Sequence, residues 1–292
     1  MNEIEKIKRL YEMLSPCYLC PLRCGVERLK RESGICNSGI VTKISAFTLY
    51  KGEEPPLSGR DGSGTIFFSN CNLKCVYCQN FQFSQIGNGR FVSVKELTRI
   101  MLSLQEKGAS NINLVTPTHY FPPIVASLRL AKSNGLTLPI ILNTIGYEDV
   151  KVLNLLEGYI DIYLPDFRYI DDQKAIKYSQ APDYVNITTA AIKEMLKQVP
   201  EVKFRPNGTM SRGVIIRILL FPDNLQDLRL TLRHIAKEFG KDVYISLMSQ
   251  YVPVYRAKEF PEISRKLSRE EMLEAIKILR EEGFKNGWVQ YD

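Results

Sequence analysis

Long apolar runs and histidines are scarce in this sequence. No apolar run reaches the roughly 18 residues that a membrane-spanning helix requires, and residues 1–9 are charged rather than apolar. Neither a membrane partner nor a secretory signal is therefore indicated, and we expect a cytoplasmic protein. The only histidines are His119 and His234, and we find no Ser/His/Asp arrangement of the kind used in nucleophilic catalysis.

The composition is that of a globular protein. The chain has 292 residues, of which 45% are hydrophobic and 24% are charged, which permits one large domain or two small ones. A net charge of +7 would help an anionic substrate to approach, but the basic residues are not clustered, so no nucleic-acid partner is expected. In a reducing compartment the seven cysteines are typical of metal ligands rather than disulfides.

Three cysteines with the spacing C-x3-C-x2-C directly follow an apolar segment, 65–70, that we interpret as a buried strand. These motif cysteines are Cys71, Cys75 and Cys78. Thiolates are ligands that iron–sulfur clusters select. Because a four-iron cluster has four irons, three ligands leave one iron open, as in reactive metal sites. A zinc site or three buried thiols are the alternatives, although zinc would need a fourth ligand and neither histidine is near in sequence.

With an aromatic residue, Tyr77, before its last cysteine, this motif resembles the signature of the radical S-adenosylmethionine (radical SAM) superfamily. The resemblance implies that the motif cysteines hold a [4Fe-4S] cluster whose open iron binds S-adenosylmethionine. An electron donor of the flavodoxin or ferredoxin type would reduce the cluster. Cleavage of the cofactor would then give methionine and a 5′-deoxyadenosyl radical, which abstracts hydrogen from a substrate. Tyr77 would lie against the adenine or shield the cluster, and no catalytic residue is implied beyond cluster and cofactor.

From about residue 64 the sequence alternates between strands and helices. Strands are predicted at 64–69, 111–116, 139–144, 161–165, 214–221 and 243–249, and helices near 93–107, 120–134, 148–157, 184–198, 224–239 and 268–283. Six such units predict an α/β fold with a parallel sheet covered by helices. A doubly wound open sheet is one possibility. The resemblance favours a partial (β/α)6 TIM-like barrel over residues 61–292, with its chemistry at the carboxyl ends of the strands.

Polar residues follow the second and third predicted strands. After strand two, Thr116, Thr118 and His119 could hold the amino group of the cofactor, or could form a turn in which His119 caps the next helix. After strand three, Asn143 and Thr144 resemble the Asp-Thr-Asn-Gly stretch of pyruvate formate-lyase activating enzyme, with Asn in place of Asp. Gly146 would let the backbone approach a ligand closely.

The fourth predicted strand ends in Asp166 and Arg168. The activating enzymes carry an Asp-x-Lys at this point, and the resemblance implies that Arg168 pairs with the carboxylate of the methionine moiety. A structural ion pair between Asp166 and Arg168 is the alternative. Arg217, in strand five, could face either the helices or the interior.

The remaining four cysteines lie in residues 1–60, which we predict to be an extension with a helix at 2–14 followed by a loop-rich segment. These leader cysteines have the spacing C-x2-C-x3-C-x11-C and can form one four-ligand metal site; they are Cys17, Cys20, Cys24 and Cys36. Zinc would staple the loops. A second iron–sulfur cluster would serve electron relay, and unmetallated thiols are the third possibility.

Three functions fit the sequence. The first is a radical SAM enzyme that acts on a small molecule or a side chain, which is favoured where the strand ends depart from the activating enzymes. The second is an activase that installs a glycyl radical on a partner protein, as the resemblance to the pyruvate formate-lyase activating enzyme subgroup implies. The third is an iron–sulfur protein for binding or electron transfer without turnover. The identity of the substrate is not encoded in any recognisable motif.

Overall fold

A mostly parallel sheet forms the centre of the protein in the computed structural model, which describes residues 1–290. The strands are β1 (Thr42–Tyr50), β2 (Ser63–Phe68), β3 (Arg90–Val92), β4 (Ile112–Val115), β5 (Ile140–Thr144), β6 (Ile162–Pro165), β7 (Lys203–Phe204), β8 (Met210–Leu219), β9 (Tyr244–Met248) and β10 (Gly287–Gln290). Their spatial order is β10-β9-β8-β6-β5-β4-β2-β1-β3, and β7 pairs with β8 off this path. Strands from β2 through β10 along this order are parallel neighbours, while β1 pairs antiparallel with β2 and β3.

Helices connect successive parallel strands, as in a partial (β/α)6 barrel. They are α1 (Glu3–Glu12), α2 (Pro55–Ser58), α3 (Phe81–Ser84), α4 (Val94–Glu106), α5 (Phe121–Ser133), α6 (Val150–Leu156), α7 (Asp172–Ser179), α8 (Tyr184–Gln198), α9 (Leu225–Phe239) and α10 (Arg269–Glu281). The six predicted strands and six predicted helices are all present within a few residues of their expected bounds. The α/β prediction is therefore confirmed.

Local sequence signals explain where several helices begin. Ser93 accepts a hydrogen bond from the backbone nitrogen of Glu96 at the start of α4. At α10, Ser268 and Glu271 form a complete capping box. Both caps satisfy backbone N–H groups that a helix end would otherwise leave unpaired.

Apolar side chains fill both faces of the sheet. The larger cluster lies between strands and helices and contains Phe68, Leu114 and Ile216. A smaller cluster includes side chains of three neighbouring strands together with one of α2: Leu57, Ile141, Ile162, Leu164, Met210 and Ile215. Because alternate residues of a strand point to opposite faces, the polar residues Asn113, Asn143 and Arg217 share the inward face with this smaller cluster. The inner face thus has an apolar floor and a polar upper layer.

The structure adds a regular strand to residues 15–60, which the sequence predicts to be loop-rich. Residues 42–50 form β1, because their alternation of apolar and polar residues suits a strand with one buried face. Through β1 the N-terminal segment is continuous with the main sheet, and α1 packs against α5 and α6. Helix α7 was also not predicted.

None of the helices within residues 1–290 is long and apolar enough to cross a membrane.

Candidate active site

The motif cysteines lie on the loop that follows β2, at the carboxyl edge of the sheet. Cys71 and Cys75 are buried, and Cys78 is partly buried. Backbone bonds hold the loop on both sides: the amide of Val76 donates to the Tyr178 carbonyl at 2.9 Å, and the Val76 carbonyl accepts from Arg256 at 2.8 Å. The loop therefore has a fixed position before any ligand is considered.

Donor groups surround the motif sulfurs. Cys75 Sγ lies 3.0 Å from Arg168 Nη1 and 3.0 Å from Ser179 Oγ, and Cys78 Sγ lies 3.1 Å from Ser84 Oγ. Burial and, secondarily, the proximity of Cys75 raise the pKa of both Cys71 and Cys78. Thiols in such a setting ionise when a metal replaces the proton, and the donors then bond the thiolate sulfurs.

A cavity of about 350 Å³ opens beside this loop. Its lining includes six residues predicted from the sequence to bind cofactor: Tyr77, Thr116, Asn143, Thr144, Asp166 and Arg168. Cys78 and Arg217 also line it. We call this space the strand-end cavity, since β4, β5, β6 and β8 each contribute to it near their carboxyl ends.

A buried ion network crosses the strand-end cavity. Asp166 Oδ2 accepts from Arg168 Nη2 at 2.7 Å and Nε at 3.1 Å. Asp166 Oδ1 accepts from Arg217 Nε at 2.8 Å, and Arg217 Nη2 donates to Asn143 Oδ1 at 2.6 Å. The ion pair between Asp166 and Arg168 thus exists, and Arg217 faces the interior. Two arginines share one carboxylate, which leaves this wall of the cavity able to receive an anionic group.

Two backbone conformations shape the cavity wall. Thr116 lines the cavity with φ +52°, which is strained for a β-branched residue, and such strain is concentrated at functional sites. Gly146 has φ +75°, and a Cβ there would lie 2.2 Å from the Asp166 carbonyl oxygen. Glycine is therefore required at this position by the neighbouring strand end, and Gly146 is not among the residues that line the strand-end cavity.

The structure corrects the predicted roles of Thr118 and His119, which are not among the residues that line the strand-end cavity. Thr118 Oγ1 donates to Glu148 Oε1 at 2.6 Å. His119 Nε2 lies 2.9 Å from the Ser69 carbonyl, and burial lowers the pKa of His119 to about 3, so the ring is neutral. Both side chains are buried in these contacts, on a turn that begins with Thr116 in the left-handed region.

Comparison with known families shows which family the chain belongs to. The sequence profile of the Radical SAM superfamily matches residues 65–235, more than half of the chain, including the motif cysteines and the strand ends described above. The chain belongs to the radical SAM superfamily. The match does not extend to any subgroup, so the likeness to activating enzymes stays a prediction.

Two curated relatives come from Methanocaldococcus jannaschii. The uncharacterized protein MJ0674 is 29% identical over 282 residues, covering 94% of this chain and 77% of its own length. The uncharacterized protein MJ0808 is 22% identical over 305 residues, covering 95% of this chain and 85% of its own. The likeness thus includes the N-terminal segment as well as the radical SAM barrel.

Two similar solved structures are those of SuiB from Streptococcus suis. One is bound to the precursor peptide SuiA and has a TM-score of 0.53, with 12% identity over 76% of this chain and 47% of that chain. The other is bound to S-adenosylmethionine and has a TM-score of 0.50, with 12% identity over 76% of this chain and 45% of that one. This chain spans about half the length of those proteins, and the likeness shows the shared fold alone.

The motif thiols fit the [4Fe-4S] cluster that radical SAM membership implies. Within residues 1–290, no three His, Cys, Asp or Glu side chains are arranged to hold a single metal ion, either in the motif or among the leader cysteines. A cluster spreads its thiolates over separate irons, and its thiolates need not converge on one point. The donors on Cys75 and Cys78 are the kind of hydrogen bonds that tune cluster sulfurs.

All four leader cysteines surround one small cavity of about 10 Å³. Burial raises the pKa of Cys20 to about 12 and also raises the pKa of Cys17. Arg28 and His119 line the same cavity, and Arg28 Nη2 donates to the His119 carbonyl at 2.8 Å. The leader cysteines are therefore brought together, and Asn72 of the motif loop lines their cavity, whereas Tyr77 and Cys78 of that loop line the strand-end cavity.

Sequence reasoning missed Tyr50 and Glu53, which line the strand-end cavity although they precede the first barrel strand. Burial, followed by the proximity of Glu54, raises the pKa of Glu53 to about 7. The available signal was the pair of acids before Pro55 and Pro56, because proline at the first helical positions marks where α2 begins.

Proposed function

We propose that this protein is a radical SAM enzyme that cleaves S-adenosylmethionine reductively and abstracts hydrogen from a small molecule or from a side chain. One observation carries the proposal: three buried thiols on one loop adjoin a cavity whose wall holds two arginines. When bound, the [4Fe-4S] cluster and S-adenosylmethionine supply the one-electron chemistry that neither protein acids nor bases can supply.

Each protein group has a separable task in this proposal. Cys71, Cys75 and Cys78 would hold the cluster. Arg168, already 3.0 Å from the Cys75 sulfur, would bind the methionine carboxylate next to the cluster. Asp166 orients that guanidinium through two donors, which fixes its plane.

Aromatic side chains would exclude water from the reacting groups. Tyr77 is buried, its hydroxyl lies 2.5 Å from that of Tyr169, and its ring packs at 4.8 Å against Phe221. Exclusion of water and of stray hydrogen donors matters because an alkyl radical reacts with any nearby C–H bond.

The decisive experiment is anaerobic reconstitution with iron and sulfide, followed by reduction in the presence of S-adenosylmethionine. We expect about four irons and four sulfides at the motif site and the formation of 5′-deoxyadenosine and methionine. A reduced, fully loaded protein that forms no 5′-deoxyadenosine would contradict the proposal and support the non-catalytic iron–sulfur alternative.

The activase hypothesis makes a separate prediction. It requires a glycyl-radical partner protein, and an organism of origin that encodes none would exclude it. We place it second because Asn143 replaces the activating-enzyme Asp, and because Ile218 occupies β8 where relatives often carry a histidine. A flavodoxin- or ferredoxin-type electron donor and a cytoplasmic location remain part of the proposal, since free thiols persist in a reducing compartment.

We also propose that the leader cysteines bind one metal centre. Their support is the shared cavity, lined by all four thiols. Counting metals distinguishes the candidates: about one zinc per chain identifies a zinc site, and about eight irons identify a second cluster. Four irons and no zinc would leave the leader cysteines as free thiols and refute this proposal.

A further inference from the structure

Three buried hydroxyl groups form a row that ends on the sulfur of Cys75. Ser179, the last residue of α7, has its Oγ 3.0 Å from Cys75 Sγ. The Tyr169 hydroxyl lies 2.7 Å from Ser179 Oγ, and the Tyr77 hydroxyl lies 2.5 Å from that of Tyr169. The three residues are buried, with at most 4% of each exposed. We call these three groups the hydroxyl row.

The direction of each hydrogen bond in the hydroxyl row follows from the number of hydrogens. A cysteine that binds a metal is a thiolate without a proton, so its contact with Ser179 uses the hydrogen of the Ser179 hydroxyl. Since each hydroxyl has one hydrogen, the contact between Ser179 and Tyr169 then uses the hydrogen of Tyr169. The last contact uses the hydrogen of Tyr77. All three O–H groups therefore point toward the sulfur of Cys75.

Hydrogen bonds that point the same way strengthen one another. Each donor polarises the next, and the low dielectric of a buried site increases the effect. The Ser179 hydroxyl, which accepts from Tyr169 while it donates to Cys75, is thus a stronger donor than an isolated serine. The hydroxyl row therefore places more positive charge beside the sulfur than one hydroxyl would.

Tyr169 separates this electrostatic contribution from packing. Its ring packs against those of Tyr184 and Phe221, with centroids 5.3 and 6.4 Å away. Its hydroxyl bonds only Tyr77 and Ser179 within the described residues. Tyr169 is not among the residues that line the strand-end cavity. Phenylalanine at this position would keep the ring and remove only the hydrogen bonds.

We propose that the hydroxyl row raises the reduction potential of the [4Fe-4S] cluster at the motif, with Tyr169 acting through Ser179 as a positioning residue. The physical reason is that reduction adds negative charge to the cluster, and donors to its sulfurs stabilise that charge. A higher potential lets a weaker reductant supply the electron. This inference rests on the cluster of the proposed function, but it does not require the cleavage of S-adenosylmethionine.

The test is a redox titration of the reconstituted protein, followed by electron paramagnetic resonance. The signal that Cys75→Ala lacks identifies the motif cluster. Ser179→Ala removes the donor on the sulfur and should lower the equilibrium constant for reduction about tenfold, which equals 59 mV for one electron. Tyr169→Phe should lower it in the same direction by about threefold, because Ser179 still donates but is no longer polarised.

Tyr251→Phe is the matched control. It removes a buried hydroxyl from the same aromatic cluster, but this hydroxyl donates to the Ile263 carbonyl and not to the hydroxyl row. The potential of this variant should equal that of the wild type. Iron counting checks that each variant holds its cluster. If Ser179→Ala takes up no iron, Tyr169→Phe alone decides, because it removes no contact with a motif cysteine.

A wild-type potential in Ser179→Ala would overturn the inference. So would a potential in Tyr169→Phe that equals that of Tyr251→Phe. The proposed function is judged separately by 5′-deoxyadenosine formation. Unchanged potentials with 5′-deoxyadenosine formed refute only the role of the hydroxyl row, and lowered potentials without 5′-deoxyadenosine refute only the enzyme assignment. A wild-type protein that takes up no cluster at the motif refutes both.

Discussion

Side chains in this site have two roles: the motif cysteines are candidate metal ligands, and the arginines and Asp166 form a network of fixed charges. The motif cysteines were recognisable because ligand spacing is local in sequence. Arg168 and Asp166 were recognisable because they follow the same strand. Glu53 and the inward direction of Arg217 were not, because their roles depend on which elements meet in space.

Replacing Cys75 with alanine removes one of three cluster ligands, and we expect 5′-deoxyadenosine formation to fall to background. The remaining two thiols cannot position a cube with one open iron. An assay of product together with iron counting measures both effects. Cys17→Ala serves as the comparison and should retain part of the activity if the leader is structural. Complete loss in both variants would contradict that role.

Arg168→Lys should raise the KM for S-adenosylmethionine by about tenfold, because an ammonium cannot bond Asp166 through two donors and still face the cysteine loop. Initial rates of 5′-deoxyadenosine formation at varied cofactor concentration measure it. Arg280→Lys, an exposed change on α10, is the matched control. An unchanged KM would remove Arg168 from cofactor binding.

At the scale of elements, βα alternation was predictable because each strand and helix carries its own apolar period and caps. The segment 42–58 was not, because β1 joins the sheet antiparallel, outside the βα repeat, and α2 has only four residues. Elements of this kind depend on their partners as well as on their own sequence. The contacts of Thr118 and His119 likewise depend on residues that are distant in sequence, Glu148 and Ser69.

The turn after β4 is linked to the turn after β5 by Glu148, which is buried and bonds the hydroxyls of Thr118 and Thr144. Burial raises the pKa of Glu148 to about 7. The folded state therefore holds the proton of the Glu148 carboxyl more tightly than the unfolded state does. The contribution of this protonated carboxyl to the free energy of unfolding is fully present below pH 4.5, the ordinary pKa of a glutamate, and is lost as pH rises through 7.

We therefore expect Glu148→Gln to unfold with a weaker pH dependence than the wild type. The difference in unfolding free energy between the two should grow by about 3 kcal/mol between about pH 4.5 and pH 8, because folding raises the carboxyl pKa from 4.5 to about 7. Urea titrations across that range measure it. The unfolding free energy of Glu106→Gln, which changes an exposed acid at the end of α4, should follow that of the wild type across this pH range. If the unfolding free energy of Glu148→Gln also changed with pH as the wild type does, Glu148 would not be protonated in the folded state.

The N-terminal segment is attached to the barrel by Arg28, which is buried and donates to the carbonyls of Gly39 and His119. Arg28→Ala leaves both carbonyls unpaired, and we expect a loss of about 2–3 kcal/mol in unfolding free energy. Chemical denaturation of the metal-loaded protein measures it. The exposed neighbour Lys30→Ala should change stability by less than about 0.5 kcal/mol.

Considered as a whole, the molecule joins two sets of thiols across a single loop. Asn70 donates to the Asn37 carbonyl at 2.9 Å on the leader side, one residue before the first motif cysteine. His119 Nε2 lies 2.9 Å from the carbonyl oxygen of Ser69, the residue before Asn70. Loading of the leader site should therefore restrict the loop that holds the motif cysteines, which the sequence could not reveal because it places the two sets 35 positions apart (71 − 36).

The antiparallel pairing of β1 with β2 has a consequence for how the chain assembles. Parallel neighbours must wait for a whole crossover to be made, whereas these two strands are joined by only residues 51–62 and can meet as a local hairpin. Glu53 and Glu54 lie in the connection of that hairpin. We therefore expect this acidic connection to take its place early in folding, before the parallel strands pair.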